Sequence, residues 1–179
     1  MTEPSFYPRP PAQARLVVPA ASTAPALRPM APALEAMTDL ATEAAHVVAP
    51  DRPIDDALHD MIVFGVRLLL VARDHAIVGA ITSYDIVGER PIQFLQDPFH
   101  PRKQRHHADI TVADIMTPID QIRPLRLRWV ASATVADVAA LFRTRPDTHL
   151  LVADDEPGGG VIIRGIFSRS RLERQLDAR

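Results

Sequence analysis

The chain contains no cysteine. Disulfide scaffolds, thiol catalysis and cysteine-based zinc centres are therefore excluded, and the composition fits a reducing compartment. No apolar run approaches the ~18 residues that a membrane span needs. A secretory signal is also missing: Glu3 stands where positive charge is required, and prolines interrupt the apolar runs. A cytoplasmic protein without membrane contact is expected. An excess of positive charge is lacking too. The net charge of −2 gives no general reason to expect a nucleic-acid partner. Gly158-Gly159-Gly160 is not followed by Lys-Ser/Thr, which rules out a P-loop and leaves an elongated hairpin turn. No Ser-His-Asp arrangement or paired-carboxylate motif stands out, so no catalytic residue is assigned and no enzyme is expected. Asp55, Asp56, His59 and Asp60 have helical spacing that suits a metal. Acidic residues in a first helical turn are expected from the helix dipole alone, however, and no metal is assigned.

What the chain does have is an internal repeat. Leu69-Leu70-Val71-Ala72 recurs as Leu150-Leu151-Val152-Ala153, a step of 81 residues that also pairs Ile54 with Val135 and Asp56 with Asp137. Gly79-Ala80-Ile81-Thr82 recurs as Gly165-Ile166-Phe167-Ser168, a step of 86. The five additional residues fall in the Gly-rich stretch 154–160, where a turn grows at little entropic cost. A fixed internal period marks one supersecondary unit used twice. Each copy, at roughly 65 to 70 residues, is marginal alone, so the two are expected to share a core and to bind a ligand at their seam.

Along the chain, residues 1–33 carry eight prolines and many alanines, and read as an extended or disordered tail or a strap across a partner subunit. The first unit is drawn over 34–98, a basic linker over 99–108 and the second unit over 109–179. Residues 33–42 suggest a short helix and 45–49 a strand. Asp51 is the expected N-cap of a helix striped by Ile54, Leu58, Met61 and Ile62. Strands follow at 68–72 and 76–82, then a helix from Ser83 to about Leu95, broken near Gly88 and Pro91. In the second unit, 114–118 ends a short helix, 125–130 reads as a strand, 134–143 as a helix, and 149–153 and 161–167 as strands. Ser168 begins a last helix. Trp129, a step of 81 from Val48, is expected in the core. His100, His106 and His107 flank the basic Arg102, Lys103 and Arg105 in what reads as a solvated linker.

The order β-α-β-β-α, used twice, resembles the cystathionine β-synthase (CBS) domain, which normally occurs as a tandem pair. The resemblance covers residues 34–179. Its marks are Asp114-Ile115-Met116-Thr117-Pro118 and the segment Gly79-Ala80-Ile81-Thr82-Ser83-Tyr84-Asp85, which has the family's Gly-x-x-Thr/Ser-x-x-Asp form for ribose-phosphate recognition. Met37-Thr38 lies further upstream of its strand than the family's pattern. The resemblance implies an α/β fold of two three-stranded, helix-flanked units about a pseudo-twofold axis. It also implies a homodimer, with Met61, Phe64 or Phe142 near the meeting helix faces.

The residues make chemical sense of the motif. Gly79 lets a ligand or another backbone approach closely. Thr82 stands at a helix N-terminus, where free amides attract phosphate. Asp85 shares its helix face and offers acceptors to a ribose diol, while Val47 and Leu68 are candidate walls for an adenine. The bland alternative is that Thr82 and Asp85 merely cap the helix. In the second copy Ser168 replaces Thr82, but Arg171 stands where Asp85 does, and a guanidinium has no acceptor for hydroxyls. Arg171 is expected to hold a phosphate, such as that of a nucleotide bound next door, or to pair with Glu173 or Asp177. The function expected is a non-catalytic regulatory module that senses AMP, ADP, ATP or S-adenosylmethionine, has no resident cofactor, and acts on an effector protein in trans. The alternative is a structural interaction protein working through its dimer surface and tail.

Overall fold

The computed structural model describes residues 26–97, 106–156 and 160–177. Its first unit contains β1 (Thr38–Asp39), β2 (Val47–Val48), α1 (Ile54–Phe64), β3 (Leu68–Arg73), β4 (Ala76–Thr82), α2 (Ser83–Val87) and α3 (Arg90–Gln96). The second contains α4 (Val112–Ile115), β5 (Thr117–Pro118), β6 (Leu125–Arg126), α5 (Leu127–Val130), α6 (Val135–Thr144), β7 (His149–Asp155), β8 (Val161–Ser168) and α7 (Arg169–Asp177).

The repeat is visible in the strand register. Leu68 faces Thr82 as His149 faces Ser168, and Val71 faces Gly79 as Val152 faces Gly165. Both ladders slip at the same point, between Val71 and Ala72 and between Val152 and Ala153. The hairpins beyond this bulge differ as expected from the sequence. Asp74 and His75 turn the first in two residues, both at positive φ of 49° and 66°, the backbone of a tight hairpin whose twist matches its strands. The second connects Asp155 to Val161 by a longer path; residues 157–159, and with them most of the Gly-rich turn expected there, lie outside the described residues.

Two sheets form, and each has four strands rather than the expected three: β2-β3-β4-β5 and β1-β8-β7-β6. The fourth strand of each comes from the other half of the chain. Thr117 and Pro118 pair with Ala80 and Gly79 of the first unit, while Thr38 and Asp39 pair with Ile166 and Gly165 of the second. Sheet membership thus crosses the sequence boundaries drawn at 34 and 109. Met37-Thr38 and Met116-Thr117 are equivalent after all.

The lead-in segments are exchanged with the strands. The amide of Ile54, the first residue of α1, donates to Ile110 O at 3.1 Å, and that of Val135, the first of α6, to Ala31 O at 2.9 Å. This supplies the α1 terminus that Asp51 was expected to cap; Pro53 occupies the cap position and no side chain caps it. The described end of the Pro/Ala tail lies on the chain's own second unit: Leu27 N donates to Gln175 O, and Ala33 is fully buried there. The tail before residue 26 and most of the linker, with His100, Arg102, Lys103 and Arg105, lie outside the described residues.

Two further readings are corrected. Residues 125–130 are a two-residue strand followed by the one-turn α5, which lengthens the path into α6. Trp129 therefore sits on that turn, 39 % exposed, and Leu125 takes the place equivalent to Val48. Met61 and Phe142 are 1 % and 4 % exposed, each inside its own unit's core, because the apolar stripes of α1 and α6 face their sheets. Phe64 is half exposed and stacks on His46, ring centroids 4.6 Å apart. A third cluster, Leu68, Leu70, Ala80 and Leu151 with Ile122 and Ile166 against it, joins the two sheets at the seam. Among the described residues no helix is long and apolar enough to cross a membrane, and no cluster of potential metal ligands forms.

Candidate functional site

Two cavities open along the seam, one on each side of Leu68 and His149, which line both. These two residues begin the equivalent strands β3 and β7. Burial between the cavities disfavours the charged imidazole of His149, and the neighbouring Arg67 adds to this. Asp85 opposes them, and the net result is a pKa lowered to about 4. The ring is therefore neutral at physiological pH, with Nδ1 3.0 Å from Thr148 Oγ1.

The first cavity, about 340 Å³, gathers Thr82 and Asp85 with Leu68 and Ala80 from the first unit, and residues 145–151 from the second. Asp85 is held tightly. Its Oδ2 accepts from Thr82 N and Thr82 Oγ1, both at 2.8 Å, and its Oδ1 pairs with Arg90 Nε at 3.1 Å. A carboxylate has about four lone-pair positions, so three are filled and one is open. The amides expected to be free for phosphate are also used: Thr82 N donates to Asp85, and Asp85 N to Thr82 Oγ1 at 3.3 Å. With α2 only five residues long, its dipole adds little.

Positive charge comes instead from Arg90, Arg123 and Arg145, which sequence reasoning missed. Arg90 also donates to Ile115 O (2.7 Å) and to Thr117 Oγ1 (3.1 Å), tying α3 to the exchanged strand. Arg145 pairs with Asp147 at 2.6 Å, and Arg169 donates to the carbonyls of both residues, fixing that loop against the second unit. These arginines stand on loops and helix ends, where spacing carries no signal. Thr117 was present in the Asp-Ile-Met-Thr-Pro motif but not read as part of the site.

The remaining sequence candidates separate. Gly79 is close-packed against the exchanged backbone: a Cβ there would stand 2.7 Å from Thr117 O and 2.9 Å from Met116 Sδ. Val47 is 55 % exposed and lines neither cavity. Ser168 and Arg171 line the second cavity, about 210 Å³, with Leu68 as the shared wall. Arg171 Nη1 donates to Thr38 Oγ1 at 2.8 Å. It stands in a different cavity from Asp85 and forms no ion pair with Glu173 or Asp177.

Comparison with known proteins agrees with this architecture. Residues 36–91 match the family model of the CBS domain, and the described fold is that of a tandem pair of such domains. An uncharacterised conserved protein from Pyrococcus horikoshii is 26% identical with a TM-score of 0.56, over 82% of this chain and 92% of that one. The CBS-pair protein CBSX2 from Arabidopsis thaliana is 23% identical with a TM-score of 0.52, over 83% and 98%. A structure of CBSX2 in complex with AMP is 24% identical with a TM-score of 0.52, over 80% and 94%. No curated protein matches the sequence.

Proposed function

We propose that this protein is a non-catalytic regulatory module that holds an adenosine-containing ligand, AMP, ADP, ATP or S-adenosylmethionine, in the first seam cavity and acts on an effector protein in trans. The observation that carries this is the convergence of Asp85, three guanidiniums and an apolar wall in one cavity whose lining comes from both units. The AMP complex of the fold neighbour CBSX2 supports the same reading. Asp85 accepts a ribose hydroxyl at its open position, and takes the second when Arg90 turns from Oδ1 toward the ligand's phosphate. Arg123 and Arg145 add phosphate contacts, with charge-assisted bonds that favour a bidentate fork. The base lies against Leu68, Ala80 and Ile122. A ligand that grips both units stabilises one angle between them, and a partner reads that angle. The active form is a homodimer, supported by the exposed Ile62 and Val63 on α1 and Tyr84 and Val87 on α2.

Thr82–Asp85 is also a helix cap, like Thr134–Asp137 in the second unit. That favours the alternative of a structural interaction protein and defines the control. Calorimetry with AMP should show Asp85→Ala weakened by about 2–4 kcal/mol, about 30- to 700-fold. Asp137→Ala removes the equivalent cap away from both cavities and should bind AMP like the wild type. Equal affinity in all three proteins, or no binding of any adenosine ligand, would assign Asp85 to capping alone.

A further inference from the structure

We propose that the second seam cavity is a separate site for a small anion bearing a diphosphate, held by its phosphate oxygens with no ribose diol required. Three guanidiniums, Arg67, Arg171 and Arg174, line it together with His46 and the neutral His149, and no carboxylate does. Four arginines elsewhere among the described residues meet carboxylates: Arg52 with Asp60, Arg90 with Asp85, Arg126 with Asp155, Arg145 with Asp147. Here they do not. The guanidinium of Arg67 makes no hydrogen bond or ion pair among the described residues, and its charge stands close enough to the buried imidazole of His149 to disfavour protonation there. Arg171 spends one donor on Thr38 Oγ1, and Arg174 one on Ser170 O at 3.1 Å.

Three like charges around one concave space repel one another, and a multiply charged anion relieves that repulsion. Guanidinium forks match phosphate oxygens in pairs. The hydroxyls of Ser168 and Ser170, 3.3 Å apart, stand beside them as further donors. With Arg171 in the place of Asp85, the carboxylate that would select a ribose is missing. Charge on the phosphate therefore decides affinity, and Leu40, Val66 and Ile166 offer an apolar wall to any organic substituent. This site stands independently of the ligand proposed for the first cavity.

The test is calorimetric titration of the full chain with sodium diphosphate, alone and with saturating AMP. One diphosphate per chain should bind in both conditions, at least tenfold tighter than orthophosphate, and weaken as salt is raised. Arg67→Ala, which breaks no hydrogen bond of the fold, and Arg171→Ala should each lose at least tenfold, while Arg126→Ala, an exposed cation away from the cavity, should not. Absence of wild-type binding, full binding by Arg67→Ala and Arg171→Ala, or displacement by AMP, which would move the anion to the first cavity, would each overturn the proposal.

Discussion

The two seam cavities are built on one register and carry opposite chemistry. On each side a strand begins at the seam, Leu68 or His149, and faces the end of the next strand, Thr82 or Ser168. Three residues beyond that end the first unit has Asp85 and the second Arg171. The exchanged threonine receives a guanidinium in both, but from different places. Arg90 reaches Thr117 from α3 while also pairing with Asp85, whereas Arg171 reaches Thr38 directly from α7. The first cavity thus mixes three arginines with Asp85 and Asp147, and the second has three arginines and no acid. Duplication fixes where the cavities form, and a single helix-turn residue decides whether each presents a carboxylate or a guanidinium. Variants that treat the two sides unequally are therefore the informative ones.

The largest effect on folding should come from His149, the polar residue shared by both cavities. In the unfolded chain a histidine takes up its proton near pH 6.5, while in the fold this one resists protonation until about pH 4. Between those values the unfolded state binds more protons, so stability is complete above pH 6.5 and is lost as pH falls toward 4. The whole window amounts to on the order of 3 kcal/mol. His149→Gln should flatten much of the wild type's loss between pH 7 and pH 5 in urea denaturation. The equivalent change on the other side, Leu68→Gln, introduces no titrating group and should leave that slope in place. Parallel pH slopes for wild type and His149→Gln would remove His149 as the cause.

Next in size is Gly79→Ala. The new methyl group would meet the carbonyl oxygen of Thr117 at 2.7 Å, an atom of the exchanged backbone that moves only if β5 leaves its sheet. Overpacking of this kind costs about 1–3 kcal/mol. Displacing Thr117 also loosens the anchor of Arg90, so AMP affinity should fall together with stability. A fully stable Gly79→Ala protein would mean that β5 is not closely seated on β4.

Much of this arrangement is legible in the sequence, and the illegible parts share a cause. The 81-residue step gives the equivalence of β3 and β7, and the longer step after it gives the second hairpin's extra residues. The strand exchange leaves no such trace. β1 and β5 are two residues long, too short to show alternation, and Thr38 pairs with Ile166 far along the chain. For the same reason Gly79 was readable as a site of close approach, but whether ligand or backbone fills it was not. Leu125–Val130 is apolar and short, which suits a strand and a strand-plus-turn equally well. Met61 and Phe142 belong to helical stripes, and periodicity cannot say whether a stripe faces the core or a partner. Thr82 and Asp85 were nameable because they fall within the Gly-x-x-Thr/Ser-x-x-Asp form, and both line the first cavity. Arg90, Arg123 and Arg145 were missed because their meeting depends on tertiary structure alone.

The smallest effect should come from Gly165→Ala, the exact counterpart of Gly79→Ala in the second unit. Its Cβ would also be crowded, with Met37 Cγ at 2.7 Å and Cε at 2.9 Å, but every crowding atom belongs to one side chain. A methionine is unbranched, has three rotatable bonds and fills irregular space, so it can swing aside without moving β1, which begins one residue later. The cost should stay under about 1.5 kcal/mol, as for a tolerated core change. Thr38 should keep both its pairing with Ile166 and its bond from Arg171, so neither cavity should change its ligand affinity. Denaturation of both glycine variants side by side, with AMP and diphosphate titrations on each, makes the comparison. If Gly165→Ala costs as much as Gly79→Ala, then Met37 is as immobile as a backbone carbonyl, and the two exchanged strands seal their sheets equally. If it costs less and leaves binding intact, only the β5 side couples the exchange to a ligand cavity.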